Sequence, residues 1–393
     1  MIAAENIDFA DIAFPKREHS TLRDLRDFYL KNNLRELLSL FAKPSPILKD
    51  SNPSVWDILR VALRKNSPAL LQILFSPAIS IPLRCYSLKN KESSLAKKIE
   101  RAFHQITPNL LHEMSTARLL PNSGAKWIGN DDLFSHGLGL KSKLQGKTKE
   151  WFFENGDSKY IPLKKTSVPL RGPIQLALSD SNPIAKLETH PEKSGNIFSL
   201  GGRSVESWRK SLVSALDWIA DFWPTLFEEM EILLQRVVPV GFSKTKHLSA
   251  SYREAIGTIY MTLHPNPLTM SEALIHEFQH NKLNLASYAD SFLENAFSPL
   301  YSSPVRPDPR PLWGVLLAAH AFLPVAVFYR KIRAAKNLKS THSYLDKKIV
   351  KIDAQNREAM DTLRTHARWT TTGRSLMSAL EEIEHLHSKD IVP

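Results

Sequence analysis

The chain reads as a predominantly helical α+β protein in which an HExxH helix packs against a small β-sheet, preceded by an N-terminal helical region. Three observations predict this. Long stretches place apolar residues three and four apart between charges, TIYMTL from Thr258 to Leu263 alternates with the period of a strand, and an HExxH motif follows soon after that strand. With 393 residues, 42% of them hydrophobic and 23% charged, the composition excludes fibrous and intrinsically disordered classes. A boundary is expected near residue 160. Residues 1–160 form a mainly helical region suited to peptide docking, and 161–393 form a metal-binding catalytic region.

The elements follow in order. MIAAENIDFADIAFP is acidic at its start and lacks a basic segment ahead of an apolar run, so no signal peptide is expected. Leu22, Leu25, Phe28, Leu34, Leu37, Leu38 and Phe41 recur at helical spacing, with further helix around 55–63 and 68–75. The Gly-, Asn-, Ser- and Lys-rich stretch 121–165 reads as irregular structure or a hairpin, and 166–202 as short strands and loops. Ser204 caps a helix with an apolar stripe at Val205, Trp208, Leu212, Ala215 and Ile219, and Pro224 opens another. After the half-buried strand 258–263, Thr269 and Glu272 form a capping box that opens a helix running from Ser271 to about Ser287. The uncharged run Leu312–Tyr329 is near the lower length for a membrane span, but it holds Gly314, His320 and Pro324 and reads as a core helix.

Charge and cysteine content narrow the setting. Lys+Arg 52 against Asp+Glu 40 gives +12, too modest for a nucleic-acid signature, and the single Cys85 excludes an internal disulfide and any cysteine-built metal cluster. A reducing cytoplasm is expected, with no membrane or nucleic-acid partner. Seven lysines at 141, 143, 147, 149, 159, 164 and 165 form either a solvated face or a dock for an acidic peptide.

The chemistry lies in SEALIHEFQHNKL. Residues four apart on a helix lie one above the other, so His276 and His280 can reach one ion while Glu277, about 100° round, touches its open side. A third ligand is needed. His320 is the leading candidate because an imidazole buried in an apolar helix needs a partner, and Pro324 cannot donate to its carbonyl; Glu294 and Asp290 are the alternatives. Between the two helices, SPVRPDPRPLWG holds four prolines that stiffen Arg306 and Arg310 for bidentate capture of a carboxylate, with Asp308 orienting one of them.

Two chemistries suit these parts. In a zinc peptidase, Zn²⁺ lowers the pKa of a bound water and Glu277 is the general base. In a non-haem iron(II) oxygenase, His276, His280 and His320 hold the metal, Arg310 or Arg306 grips the distal carboxylate of 2-oxoglutarate, O2 is the oxidant, and Glu277 orients substrate. The oxygenase uses every part.

The runs SDSNPIAKLETHPEKSGNIFSLGGR, GTIYMTLHPNPLTMSEALIHEFQHNKLN and SPVRPDPRPLWGVLLAAHAFLPVAVFY resemble the HExxH-motif peptide-modification family of bacterial ribosomal peptide natural-product clusters, over about 165–370. That resemblance implies an iron(II)/2-oxoglutarate enzyme that hydroxylates a β-carbon of a precursor peptide. It also implies metal binding by His276 and His280, with His320 third; Leu317 stands where related sequences can place a histidine. Such precursors often carry acidic leaders, which gives the lysine-rich stretch a use. The strand 258–263 is a further candidate, as an edge for peptide addition.

Overall fold

Helix starts are set by side chains that the sequence supplies. Ser204 accepts a hydrogen bond from the Ser207 N–H, and Pro224 occupies a first-turn position where its missing N–H costs nothing. These elements come from a computed structural model, which describes residues 7–42, 54–87, 110, 113–114, 142–147, 150–155, 159–162, 167–180, 182, 184–185, 189–190, 193–303, 308–335 and 342–391. The described helices are α1 (Ser20–Ala42), α2 (Ser54–Ile73), α3 (Pro77–Ser87), α4 (Val205–Phe222), α5 (Pro224–Leu233), α6 (Pro267–Ala286), α7 (Leu312–Ala334), α8 (His342–His366) and α9 (Thr371–Ser388). With one five-stranded sheet, they make the fold α+β and predominantly helical.

The chain forms two compact units, divided elsewhere than at the expected 160/161 boundary. One comprises Met1–Tyr29, Pro169–Leu176 and Ser199–Pro393; the other comprises Leu30–Val168 and Ala177–Phe198. Packing explains the difference. Phe9 and Ile12, in the 3-10 turn Phe9–Ile12, are buried in the unit that carries α6 and α7, and the Phe9 ring meets Phe292 edge-on at 5.6 Å.

In the second unit, the lysine-rich stretch forms an antiparallel sheet of β1 (Ser142–Lys147), β2 (Glu150–Asn155) and β3 (Lys159–Pro162). Its register sets Lys143 across from Glu154 and Lys147 across from Glu150. Lys141, Lys149, Lys164 and Lys165 lie outside the described residues.

The five-stranded sheet contains β4 (Ser167–Arg171), β5 (Ile174–Ala177), β8 (Arg236–Phe242), β9 (Ser249–Ala250) and β10 (Thr258–Leu263), in the order β4-β5-β8-β10-β9, with all but Ser167, Val168 and Ala177 in the first unit. The short ribbon β6 (Thr189–His190) and β7 (Lys193–Ser194) falls between them in sequence, in the other unit. β10 differs from the half-buried strand its alternation predicts. It runs parallel to β8 and antiparallel to β9, and all six of its residues are buried. A parallel strand covered on both faces buries even its polar positions, so Thr258 and Thr262 are enclosed. Its neighbours on both sides also remove β10 as an edge for peptide addition.

α7 is the core helix. It is long and apolar enough to cross a membrane by length and composition, yet 78% of its apolar window is buried inside the fold. It continues through Pro324 to Ala334 and carries Arg330, whose guanidinium is 2% exposed and bonds Asp353 at 2.6 and 3.2 Å and Asp390 at 3.2 Å. A second buried ion pair braces α6: Lys282 Nζ donates to Glu229 Oε2 at 2.7 Å, and their side chains are 0% and 3% exposed. His19 lies 3.9 Å from the other oxygen of Glu229.

Lys282→Met is expected to lower the unfolding free energy by about 3–5 kcal/mol in urea titrations, because it strands a buried carboxylate; Lys282→Met combined with Glu229→Leu should recover most of the loss. The acid limb of stability is expected to depend on His387. Burial, then the positive field of Arg330, lowers its pKa from 6.5 to about 3 in the fold. The unfolded chain therefore binds the extra proton between about pH 6.5 and 3, and stability falls as pH falls through that window. Thermal melts of His387→Leu should show a flatter acid limb.

Candidate metal centre

The HExxH helix begins earlier than the capping box predicts. Asn266 accepts a hydrogen bond from the Leu268 N–H at 2.9 Å and Pro267 fills the first helical position, so α6 starts four residues before Ser271. Glu272 is thereby left inside the helix. Its carboxylate accepts from the Tyr329 hydroxyl and from Lys348 Nζ, tying α6 to α7 and α8.

From that start, His276 and His280 fall on one face. Their ring centroids lie 4.3 Å apart at 70°, and one donor atom from each of His276, Glu277 and His280 lies within 4.8 Å of the others. Both histidines are half-buried and Glu277 is 2% exposed. The Nδ1 atoms of both rings and Oε2 of Glu277 are buried without a hydrogen-bond partner. Each such atom costs about 1–3 kcal/mol, and a divalent ion satisfies nitrogen and carboxylate donors together. His280 is held well below the ordinary histidine pKa, first by burial and then by His276, His320 and Arg310. It is therefore neutral, the form that ligates. By these observations the residues fit a divalent ion.

The remaining candidates are placed as follows. Phe322 of α7 packs its ring on His276 at 4.5 Å, and His320 lies two residues away, about 200° round the helix. His320 nevertheless lies near α6, where it interacts with the Gln279 backbone and lowers the pKa of His280, although the group formed by His276, Glu277 and His280 does not include it. His320 is fully buried, with Nε2 2.9 Å from the Ile12 carbonyl. A carbonyl only accepts, so Nε2 carries the hydrogen, and burial lowers the pKa to about 3. His320 thus joins α7 to the N-terminal turn through one ring nitrogen, while its Nδ1 is buried without a hydrogen-bond partner. Glu294 lies 3.8 Å from Arg368, and Asp290 accepts from the Thr372 hydroxyl and the Ser291 N–H; neither is in the metal-suited group. Leu317 is half-buried on α7.

Arg306 lies outside the described residues. Arg310 sits in β12 (Arg310–Pro311), paired with β11 (Leu300–Tyr301) immediately before α7. Its Nη1 is 3.3 Å from Asp308 Oδ2, the orientation expected from sequence. Its stem lies against Gly314, where an added Cβ would come within 3.3 Å of Arg310 Cβ. Its positive charge is felt at His280, as the weakest of the four influences that lower that residue's pKa.

One residue near the site is not singled out by sequence. His247, before β9, lies 6.2 Å from the ring of His264, bonds to the Thr262 backbone, and has a buried Nε2 without a partner. Burial, then His264, lowers its pKa to about 4, and it feels both Glu272 and His276. No spacing rule relates it to the HExxH motif.

No protein-family model matches the chain, and neither does any curated protein.

His276→Ala and His280→Ala should each abolish stoichiometric divalent-metal binding, read by elemental analysis after dialysis. His320→Ala should retain the metal while losing about 1–3 kcal/mol of stability. Loss of metal in that variant would return His320 to the ligand set.

Proposed function

We propose that the chain is an iron(II)- and 2-oxoglutarate-dependent hydroxylase acting on a side-chain β-carbon of a ribosomally made precursor peptide. The observation that carries this reading is the His276–Glu277–His280 group together with the positive charge of Arg310 felt at His280. A peptidase has no evident task for Arg310, whereas a 2-oxo acid cosubstrate brings a distal carboxylate that a guanidinium binds.

In this reading His276 and His280 hold the ion, and the described residues offer it the donor classes of a two-histidine, one-carboxylate site, with Glu277 as the carboxylate in reach. Bound iron supplies oxidation of an unactivated C–H bond by O2. Arg310, oriented by Asp308 and given room by Gly314, fixes the cosubstrate carboxylate. Phe322 closes the apolar side of His276.

A second reading, a zinc-dependent peptidase, is supported by Glu277. Its unpaired Oε2 beside both imidazoles suits a base that takes a proton from a metal-bound water.

Anaerobic addition of Fe(II) and 2-oxoglutarate should produce a weak visible charge-transfer band that is absent in His276→Ala. Arg310→Ala should raise the 2-oxoglutarate requirement about 10- to 100-fold while leaving iron affinity unchanged. Mass spectrometry of a co-expressed precursor peptide should show a gain of one oxygen. Truncated peptide with retained Zn²⁺ and no band would establish the peptidase instead.

A further inference from the structure

His19 is a buried titratable group that the metal chemistry does not use. It is 7% exposed and precedes α1 with φ +49°, a left-handed conformation that a non-glycine residue keeps only where its surroundings fix it.

Two acceptors face its ring from α5. Nε2 lies 2.8 Å from Oε2 of Glu228, and Nδ1, which makes no hydrogen bond, lies 3.9 Å from Oε1 of Glu229. A carboxylate oxygen only accepts, and a neutral imidazole has one N–H, so only the imidazolium suits both carboxylates at once. The charge count agrees. Glu229 also accepts from Lys282 of α6 at 2.7 Å, and the side chains of His19, Glu229 and Lys282 are 4%, 3% and 0% exposed. Two carboxylates thus face one lysine, and a protonated His19 supplies the second cation. Glu229 foremost, against the opposing effect of burial, and then Glu228 raise the His19 pKa above its ordinary 6.5.

Neighbouring charges are engaged elsewhere. Lys16 pairs with Asp11, which also accepts from the Thr21 hydroxyl, and Lys331 of α7 lies over the Trp223 ring at 5.5 Å. The remaining attachments of this segment carry no charge: Phe9 meets Phe292, Phe14 packs on Trp223 at 5.1 Å, and the Ile12 carbonyl reaches His320, which burial keeps neutral. The contact at His19 is therefore the one that responds to a proton.

We propose that the segment from Phe9 to His19 is a pH-sensitive strap: protonated His19 pins it to Glu228 and Glu229, and loss of that proton in mildly alkaline solution loosens it from α5 and Trp223. The strap is independent of the metal reading. A freed His19 returns to its ordinary pKa of 6.5, below that of the pinned residue. The clasp is therefore complete below about pH 6.5 and is lost as pH rises through the pinned value, the opening equilibrium gaining about tenfold per pH unit between the two.

The test is hydrogen–deuterium exchange read by mass spectrometry on the full-length protein at about pH 6, 7 and 8.5, with labelling times corrected for the intrinsic rate at each pH. Peptides covering residues 9–19 should lose protection at least about threefold across that range, while those of α4 keep theirs. His19→Gln retains an N–H but cannot charge, so its segment should be weakly protected and indifferent to pH. Glu228→Gln changes a side chain that is 54% exposed, so the fold tolerates it, and it should move the loss to lower pH. Flat protection in the parent protein overturns the proposal. An equal loss in His19→Gln, or an unchanged midpoint in Glu228→Gln, does the same.

Discussion

Polar chemistry carried on a buried helix is the constraint on which the rest of the structure depends. Glu277, Gln279, Asn281 and Lys282 of α6 are all exposed by 2% or less, where an unmatched charge or amide is costly. Lys282 is matched by Glu229. Asn281 accepts from the Gly257 N–H at 2.7 Å and donates to the Thr258 carbonyl at 3.3 Å, and it also bonds the Glu277 carbonyl one turn back. The polar back of α6 is thus pinned to the start of β10 and to α5. This sets the rotation of the helix about its axis and hence the direction in which His276 and His280 project.

The opposite side of the pair is furnished from α7 and the ribbon before it. Phe322 packs on His276 from that segment, and the charge of Arg310, just before it, is felt at His280. In the proposed reading, a ligand that joins a metal-chelating end to a distant anion would meet complementary groups at both ends, whereas an uncharged ligand of the same length would leave the guanidinium to Asp308 alone.

What was legible in the sequence was local. His276 and His280 are set by helical periodicity, and Ser204 and Pro224 start their helices through contacts within a turn. What was not legible depended on neighbours distant in sequence. One ring nitrogen of His320 meets a backbone carbonyl 308 residues away, a contact that no spacing reveals because any residue type can supply it. The alternation of 258–263 suggests a half-buried strand, and only the strands and helix packed around β10 enclose its threonines. Thr269 and Glu272 satisfy a capping pattern, but Asn266–Pro267 offers a competing start four residues earlier and prevails. His247 belongs to no short-range pattern, so its approach to the HExxH face is a product of the fold.

The turn at Phe9–Ile12 imposes an order on assembly. It is synthesised well before α7, yet the imidazole that receives it sits on α7, and the residues between include the whole of a separate compact unit. The intervening unit has the opportunity to fold while the opening segment waits with Phe9 and Ile12 exposed. Closing so long a loop is slow, and the unsheltered apolar stretch is a natural target for chaperones during synthesis.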